Sequence, residues 1–147
     1  MLQFWKDHPH IQKDLHRVQD IMRSSLKGKD PLLTRTIDTL LARNGKMLRP
    51  GFVLLGARLK PYRKGSFPLH KPLADRIYHI AAAIEILHLA TLIHDDVIDQ
   101  AQTRRGAPSV NAEFGDRNAV LTGDFLFSSC FSMVANYATM ETARLLA

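Results

Sequence analysis

Apolar residues recur at three- and four-residue steps along almost the whole chain, the spacing that lines one face of an α-helix. Leu2, Trp5, Ile11, Leu15, Val18, Met22 and Leu26 form the first series, with charges between them, and predict an amphipathic helix over 1–27 broken near Pro9. Gly28 closes it. Asp30-Pro31 offers a cap followed by a first-turn proline, so a second helix is expected to run to Arg43 through Leu33, Ile37, Leu40 and Leu41. Asn44-Gly45 breaks that helix, and a third begins at Arg49-Pro50, apolar through Phe52-Val53-Leu54-Leu55. Residues 61–72 hold three prolines, a glycine and four basic residues and read as a loop. The strongest pattern follows, from Leu73 to Gln100, with Ile77, Ile80, Ile84, Leu87 and Leu92 on its apolar side and Ala81, Ala82 and Ala83 small enough for close packing. Residues 101–115 look irregular around Gly106-Ala107-Pro108. A last helix starts near Asp116-Arg117-Asn118 and is still running at Leu145-Leu146-Ala147. No segment sustains a period of two, so the chain reads as all-α.

Composition narrows this only slightly. At 147 residues, 46% hydrophobic and 23% charged, the chain suits one domain with a real core, not a disordered tail. Lys and Arg exceed Asp and Glu by 20 to 14, which favours a negatively charged partner: nucleic acid, anionic lipid or a phosphorylated small molecule. The single cysteine, Cys130, excludes an internal disulfide, sits among apolar neighbours as a small buried side chain would, and is compatible with a reducing cytoplasm. Residues 1–7 have no hydrophobic signal core, and Glu85, His88 and His94 interrupt the longest apolar stretches, so at most peripheral membrane contact is expected. The last seven residues contain no glycine, proline or cap, and the expectation is a fragment or a helix completed by another chain.

The chemistry gathers in three places. Glu85-x-x-His88-x-x-x-x-x-x-Asp95-Asp96-x-x-Asp99 puts His88, Asp95 and Asp99 on one helical stripe with Asp96 beside them. Carboxylates at a helix C-terminus oppose the macrodipole, so their natural compensation is a hard cation such as magnesium, shared with substrate phosphates. Thr103-Arg104-Arg105-Gly106-Ala107-Pro108 follows, and guanidinium forks suit phosphate. Upstream, Gly45-Lys46-Met47-Leu48-Arg49-Pro50 is a basic turn into a helix, able to offer backbone N–H groups to an anion. It is not a P-loop, lacking the second glycine and the Lys-Ser/Thr pair.

These motifs, with Gly123-Asp124-Phe125-Leu126, resemble the trans-prenyltransferases, the farnesyl, geranylgeranyl and longer polyprenyl diphosphate synthases, from about residue 30 onward. The resemblance implies an all-α helical bundle of the isoprenoid synthase type, with residues 1–147 as the amino-terminal half of a single synthase domain. It implies Mg²⁺ held by Asp95 and Asp99, with Asp96 supporting, and bridging an allylic diphosphate that Arg104 also binds. Lys46, Arg49, His88 and Arg105 would take the diphosphate of isopentenyl diphosphate. Small Ala90 and Thr91, just before Asp95, imply a product longer than fifteen carbons. A homodimeric, cytoplasmic enzyme follows from the same likeness. Asn44 stands where the family has a glycine, and nothing after Asp124 can serve as the family's second aspartate-rich motif, so these residues alone are expected to be inactive. An alternative is a substrate-binding subunit of a heteromeric synthase. A nucleic-acid-binding protein fits poorly, because the acids lie between the basic motifs.

Overall fold

The computed structural model describes residues 2–28, 30–43, 45–59 and 71–146. The chain is helical as expected. A 3₁₀ turn, Leu2–Trp5, precedes α1 (Pro9–Ser25), α2 (Pro31–Ala42), α3 (Leu48–Leu59) and α4 (Lys71–Ile98). A two-rung hairpin, β1 (Thr103–Arg104) with β2 (Ala107–Pro108), leads into α5 (Val110–Phe114), α6 (Asp116–Tyr137) and α7 (Met140–Leu146).

Local chemistry sets most boundaries. Pro9 occupies the first turn of α1, where its missing N–H costs nothing, and so splits the amino-terminal pattern into two pieces. Asp30 caps α2, its carboxylate accepting from the Leu33 N–H at 2.7 Å. The loop expected over 61–72 lies largely outside the described residues, and α4 already includes Lys71. Asn44 is likewise outside them.

Two expected element boundaries are corrected. The supposedly irregular 101–115 segment contains α5, capped by the Ser109 hydroxyl on the Ala112 N–H. The last helix is not continuous: α6 stops at Tyr137, and the Thr139 hydroxyl accepts from the Thr142 N–H to open α7. No glycine or proline marks that break.

The core lies where α1, α3 and α6 pack on α4, with α6 making the most extensive contact. Leu15, Val18 and Met22 of α1 are fully buried, as are Ala81, Ala82, Ala83, Ile86 and Ala90 of α4 and Leu126 of α6. Each large one contributes about 1.5–3 kcal/mol by leaving water. The inward face of α4 differs from the one expected. Ile86, Leu89 and Ile93 are buried, whereas Ile77, Ile80, Ile84, Leu87 and Leu92 are only partly covered. The helix is apolar nearly all round, so pattern alone could not choose its deepest side. By length and composition α4 from Ala74 and α6 could each cross a membrane. Here they pack on each other, and α4 carries a buried carboxylate, Glu85.

Candidate functional site

The acidic end of α4 is built by the way that helix stops. Gln100 adopts a left-handed φ of 51°, its N–H bonds to the Val97 carbonyl, and the Ala101 N–H reaches back to the Asp96 carbonyl at 2.9 Å. This is a Schellman termination, made with glutamine where glycine is usual. It leaves Asp95 and Asp99 one turn apart on the exposed face, the carboxylate of each without a hydrogen bond or ion pair among the described residues.

Asp96 does not join them. A hundred degrees round the helix, it turns into the protein, 2% exposed. There the Arg104 Nε donates to both of its oxygens at 2.7 Å, and Nη2 stands 2.6 Å from Oδ1. This carboxylate holds the Arg104 pKa above its ordinary value, through the hydrogen bond first, with Asp95 and Asp99 adding a longer-range pull. The sequence expectation made Asp96 a support of the metal-holding pair Asp95 and Asp99 and gave Arg104 to diphosphate; in the structure the Asp96 and Arg104 side chains bond each other.

The hairpin presents Arg105. Arg105 and Gly106 both have positive φ, 54° and 78°, as a tight primed turn requires, and such a φ is costly for arginine. The Arg105 guanidinium occupies the space beside Gly45, so close that a Cβ there would run into it. Glycine at 45 therefore brings the basic turn and the arginine loop together across sixty residues of sequence. The turn itself is held from the other side. Trp5 Nε1 donates to the Lys46 carbonyl at 2.7 Å, the Trp5 ring fills the space where Gly51 lacks a side chain, and the Lys46 ammonium sits 5.7 Å from the Phe4 ring centroid.

His88 feels both charge clusters. Burial lowers its pKa first, and Arg49, Arg105 and Arg104 push it further down, against a smaller opposing pull from Asp95. It is thus a neutral imidazole near pH 7, set among cations. One turn earlier Glu85 is buried, with its pKa raised by burial and only partly drawn back by Arg49 and Arg105. Sequence reasoning placed Glu85 in a motif without giving it a role, although a charge midway along an apolar helix is itself a signal. Of the two small residues before Asp95, Ala90 is fully buried and Thr91 is exposed, its hydroxyl bonded to the His88 carbonyl. His94, given no role from sequence, packs into the gap at Gly123, with Nε2 3.3 Å from the Val120 carbonyl and 3.5 Å from Asp124. Its contacts tie α4 to α6.

Beneath the Asp96–Arg104 pair is a cavity of about 190 Å³ walled by Leu40, Leu89, Leu92, Ile93 and Val110, with Arg43 at its edge. Arg43 is itself committed, donating to the Pro108 carbonyl and to Glu113. The acidic pair shares the side of α4 that carries His88 and the exposed Thr91, and His88 also lies in the field of the basic cluster.

Residues 30–147 match the polyprenyl synthetase family. The chain belongs to that family. It is 36% identical over 137 residues to nonaprenyl diphosphate synthase of Mycobacterium tuberculosis, covering 93% of this chain and 38% of that one. Heptaprenyl diphosphate synthase component 2 of Geobacillus stearothermophilus is 35% identical, with 93% and 40% covered. Among solved structures, heptaprenyl diphosphate synthase from Staphylococcus aureus superposes with a TM-score of 0.79 at 29% identity, over 92% of this chain and 40% of that one. Polyprenyl synthase from Caulobacter crescentus, solved with calcium and isoprenyl diphosphate, also gives 0.79 at 30% identity, covering 92% and 38%. The all-α isoprenoid synthase fold is therefore shared by this family member, which spans about two fifths of the length of these relatives.

Proposed function

We propose that the chain forms one wall of a trans-prenyltransferase site that condenses an allylic diphosphate with isopentenyl diphosphate. The observation that carries this reading is the run of side chains along α4, with Asp95 and Asp99 exposed at its end and His88 upstream of them, in the field of Arg49, Arg105 and Arg104 as well as of Asp95. Two anions of like kind can thereby be received side by side. Lys46, Arg49, His88 and Arg105 supply donors for the diphosphate of isopentenyl diphosphate. Neutral His88 donates one hydrogen bond without adding charge.

The allylic diphosphate belongs at the end of α4. The described residues contain no group of three acidic, histidine or cysteine ligands that could hold a metal alone. Two unpartnered carboxylates one turn apart are the donor set that magnesium accepts when phosphate oxygens and water complete its shell. Asp95 and Asp99 would hold it. Bound there, magnesium would offset the charge gathering on the departing diphosphate. Arg104, with Nη1 free of hydrogen bonds among the described residues, can add a donor while Asp96 fixes its orientation. The calcium and isoprenyl diphosphate named with the Caulobacter crescentus enzyme support this pairing of divalent cation and diphosphate.

Thr91, small and on the open face a turn before Asp95, leaves room for a growing chain. A product longer than fifteen carbons agrees with the nonaprenyl and heptaprenyl synthases among the relatives. The half-covered Ile77, Ile80, Ile84 and Leu87 would be covered by the remainder of the synthase domain, and a homodimer in the cytoplasm belongs to the same reading through the family likeness. A second reading, a binding subunit completed by a different chain, is favoured by the relative named component 2. The test is calorimetric titration of inorganic diphosphate with and without magnesium. Binding strengthened by magnesium, and losing that gain in the D95N/D99N variant, is expected. Magnesium-indifferent binding overturns the acidic half of the site, and rapid condensation by these 147 residues alone overturns its division between two walls.

A further inference from the structure

We infer that Trp5 is a positioning residue: from outside the basic turn it fixes the Lys46 carbonyl and the first turns of α3, and so sets where Lys46 and Arg49 present their charges to an anion. The inference rests on the proposed function in assigning a diphosphate to that turn.

Trp5 is the only tryptophan of the chain and is 3% exposed. A buried indole N–H needs an acceptor. Here it donates at 2.7 Å to the carbonyl of Lys46, 41 residues further on and inside the turn. A peptide unit is planar, so fixing that carbonyl also fixes the Met47 N–H on its opposite side. Met47 needs such a hold. Its φ is 52°, left-handed and costly for a residue with a Cβ, and its side chain is buried. A conformation of that kind persists only where the surroundings over-determine it.

The ring of the same tryptophan takes the place of a side chain at Gly51, in the second turn of α3, where a Cβ would run into it. Lys46 and Gly51 bracket Arg49 in sequence, so one rigid ring holds both flanks of the segment that carries the arginine. Phe4 extends the grip to a side chain. The Lys46 ammonium stands 5.7 Å from its ring centroid, within cation–π range, and the Phe4 and Trp5 rings meet edge to face at 5.2 Å. Lys46 and Arg49 are exposed, and the charged group of neither makes a hydrogen bond or ion pair with a described residue. The anchor is therefore buried while the charges stay open. Donors held in place before a ligand arrives lose less freedom when they bind it.

Packing alone and positioning predict different results. If Trp5 served packing alone, replacing it would cost stability and leave the affinity of the folded protein unchanged. As a positioning residue it changes that affinity. Its own emission also responds when an anion arrives, because charge placed beside Lys46 alters the field at the indole and draws the ammonium away from Phe4.

The experiment titrates inorganic diphosphate without magnesium into the full chain, following Trp5 fluorescence and calorimetry together. It compares W5F and K46A/R49A by calorimetry at a temperature where each is fully folded, so that lost stability does not enter. W5F keeps an aromatic ring beside Gly51 and loses the donor. Expected are a saturable change in Trp5 emission with the calorimetric dissociation constant, and an affinity lower on the order of fivefold in W5F, the scale of one hydrogen bond. W5F binding as tightly as wild type overturns the inference and leaves the site in place. So does calorimetric binding to wild type that leaves Trp5 emission unchanged, a result that needs no variant to fold. Wild-type binding that K46A/R49A does not weaken removes the basic turn as the seat of the anion and, with it, the reading on which this rests.

Discussion

The Asp96–Arg104 pair makes an asymmetric prediction. Asp96 has a side-chain exposure of 3% and Arg104 of 37%, so removing one partner is not equivalent to removing the other. In R104A the carboxylate stays buried, with no other described donor, and the cost falls in the range of a broken buried ion pair, about 3–5 kcal/mol. In D96A the guanidinium can swing into water, and the loss is nearer that of hydrogen bonds to a charged group, about 1.5–3 kcal/mol. Urea unfolding resolves the difference. With a slope of about 2 kcal/mol per molar, R104A should lower the midpoint by roughly 2 M and D96A by roughly 1 M. The double variant should cost no more than R104A alone, because the orphaned charge is gone, and the shortfall from additivity measures the coupling. A D96A variant as costly as R104A, or a strictly additive double variant, would refute the argument that burial of Asp96 makes this pair asymmetric.

Other outcomes follow from the same geometry. Neutralising Asp95 and Asp99 removes exposed negative charge from the C-terminal end of α4, so D95N/D99N should melt at or slightly above wild type, by about 0.3–1 kcal/mol, while losing magnesium-dependent diphosphate binding; a clear drop in melting temperature would contradict this. Gly45→Ala drives a methyl into the flexible end of Arg105, and should weaken inorganic diphosphate binding severalfold with little change in the urea midpoint. Gly123→Ala meets the packed His94 ring instead, and should destabilise by about 1–3 kcal/mol; similar midpoints for the two alanine variants would count against the contrast. His88 has a lowered pKa, chiefly from burial, so on acidification the unfolded chain takes up this proton first. Its contribution to stability is intact above about pH 6.5 and is lost as pH falls towards the folded-state value. H88Q lacks that loss, and its urea midpoint should gain on wild type between about pH 7.5 and about pH 5.5.

Why some of this was legible in the sequence and some was not comes down to the range over which each signal acts. Pro9, Asp30-Pro31 and Gly45 act on the backbone within a turn of themselves, and the helix ends they mark are where the structure has them. The Thr139 cap is equally local, but no proline or glycine accompanies it, and a hydroxyl among helix formers does not stand out. The face of α4 is a different problem. Spacing places Asp95 and Asp99 together, but it cannot say that Asp96 faces inward, because a helix apolar on every side has no unique interior until α1, α3 and α6 are packed around it. Once they are, Asp96 shares the side of Leu89 and Ile93, and only a cation brought back by the chain reversal after Gln100 makes its burial tolerable. The Gly45–Arg105 contact is longer-ranged still. Its two halves are each readable, a glycine before a basic turn and an arginine-glycine pair in a loop, but their meeting depends on the packing of α3 on α4. The site's residue types are thus written in short motifs, whereas the division of labour between Asp96 and its neighbours, and between Arg104 and Arg105, is decided by packing that no short motif contains.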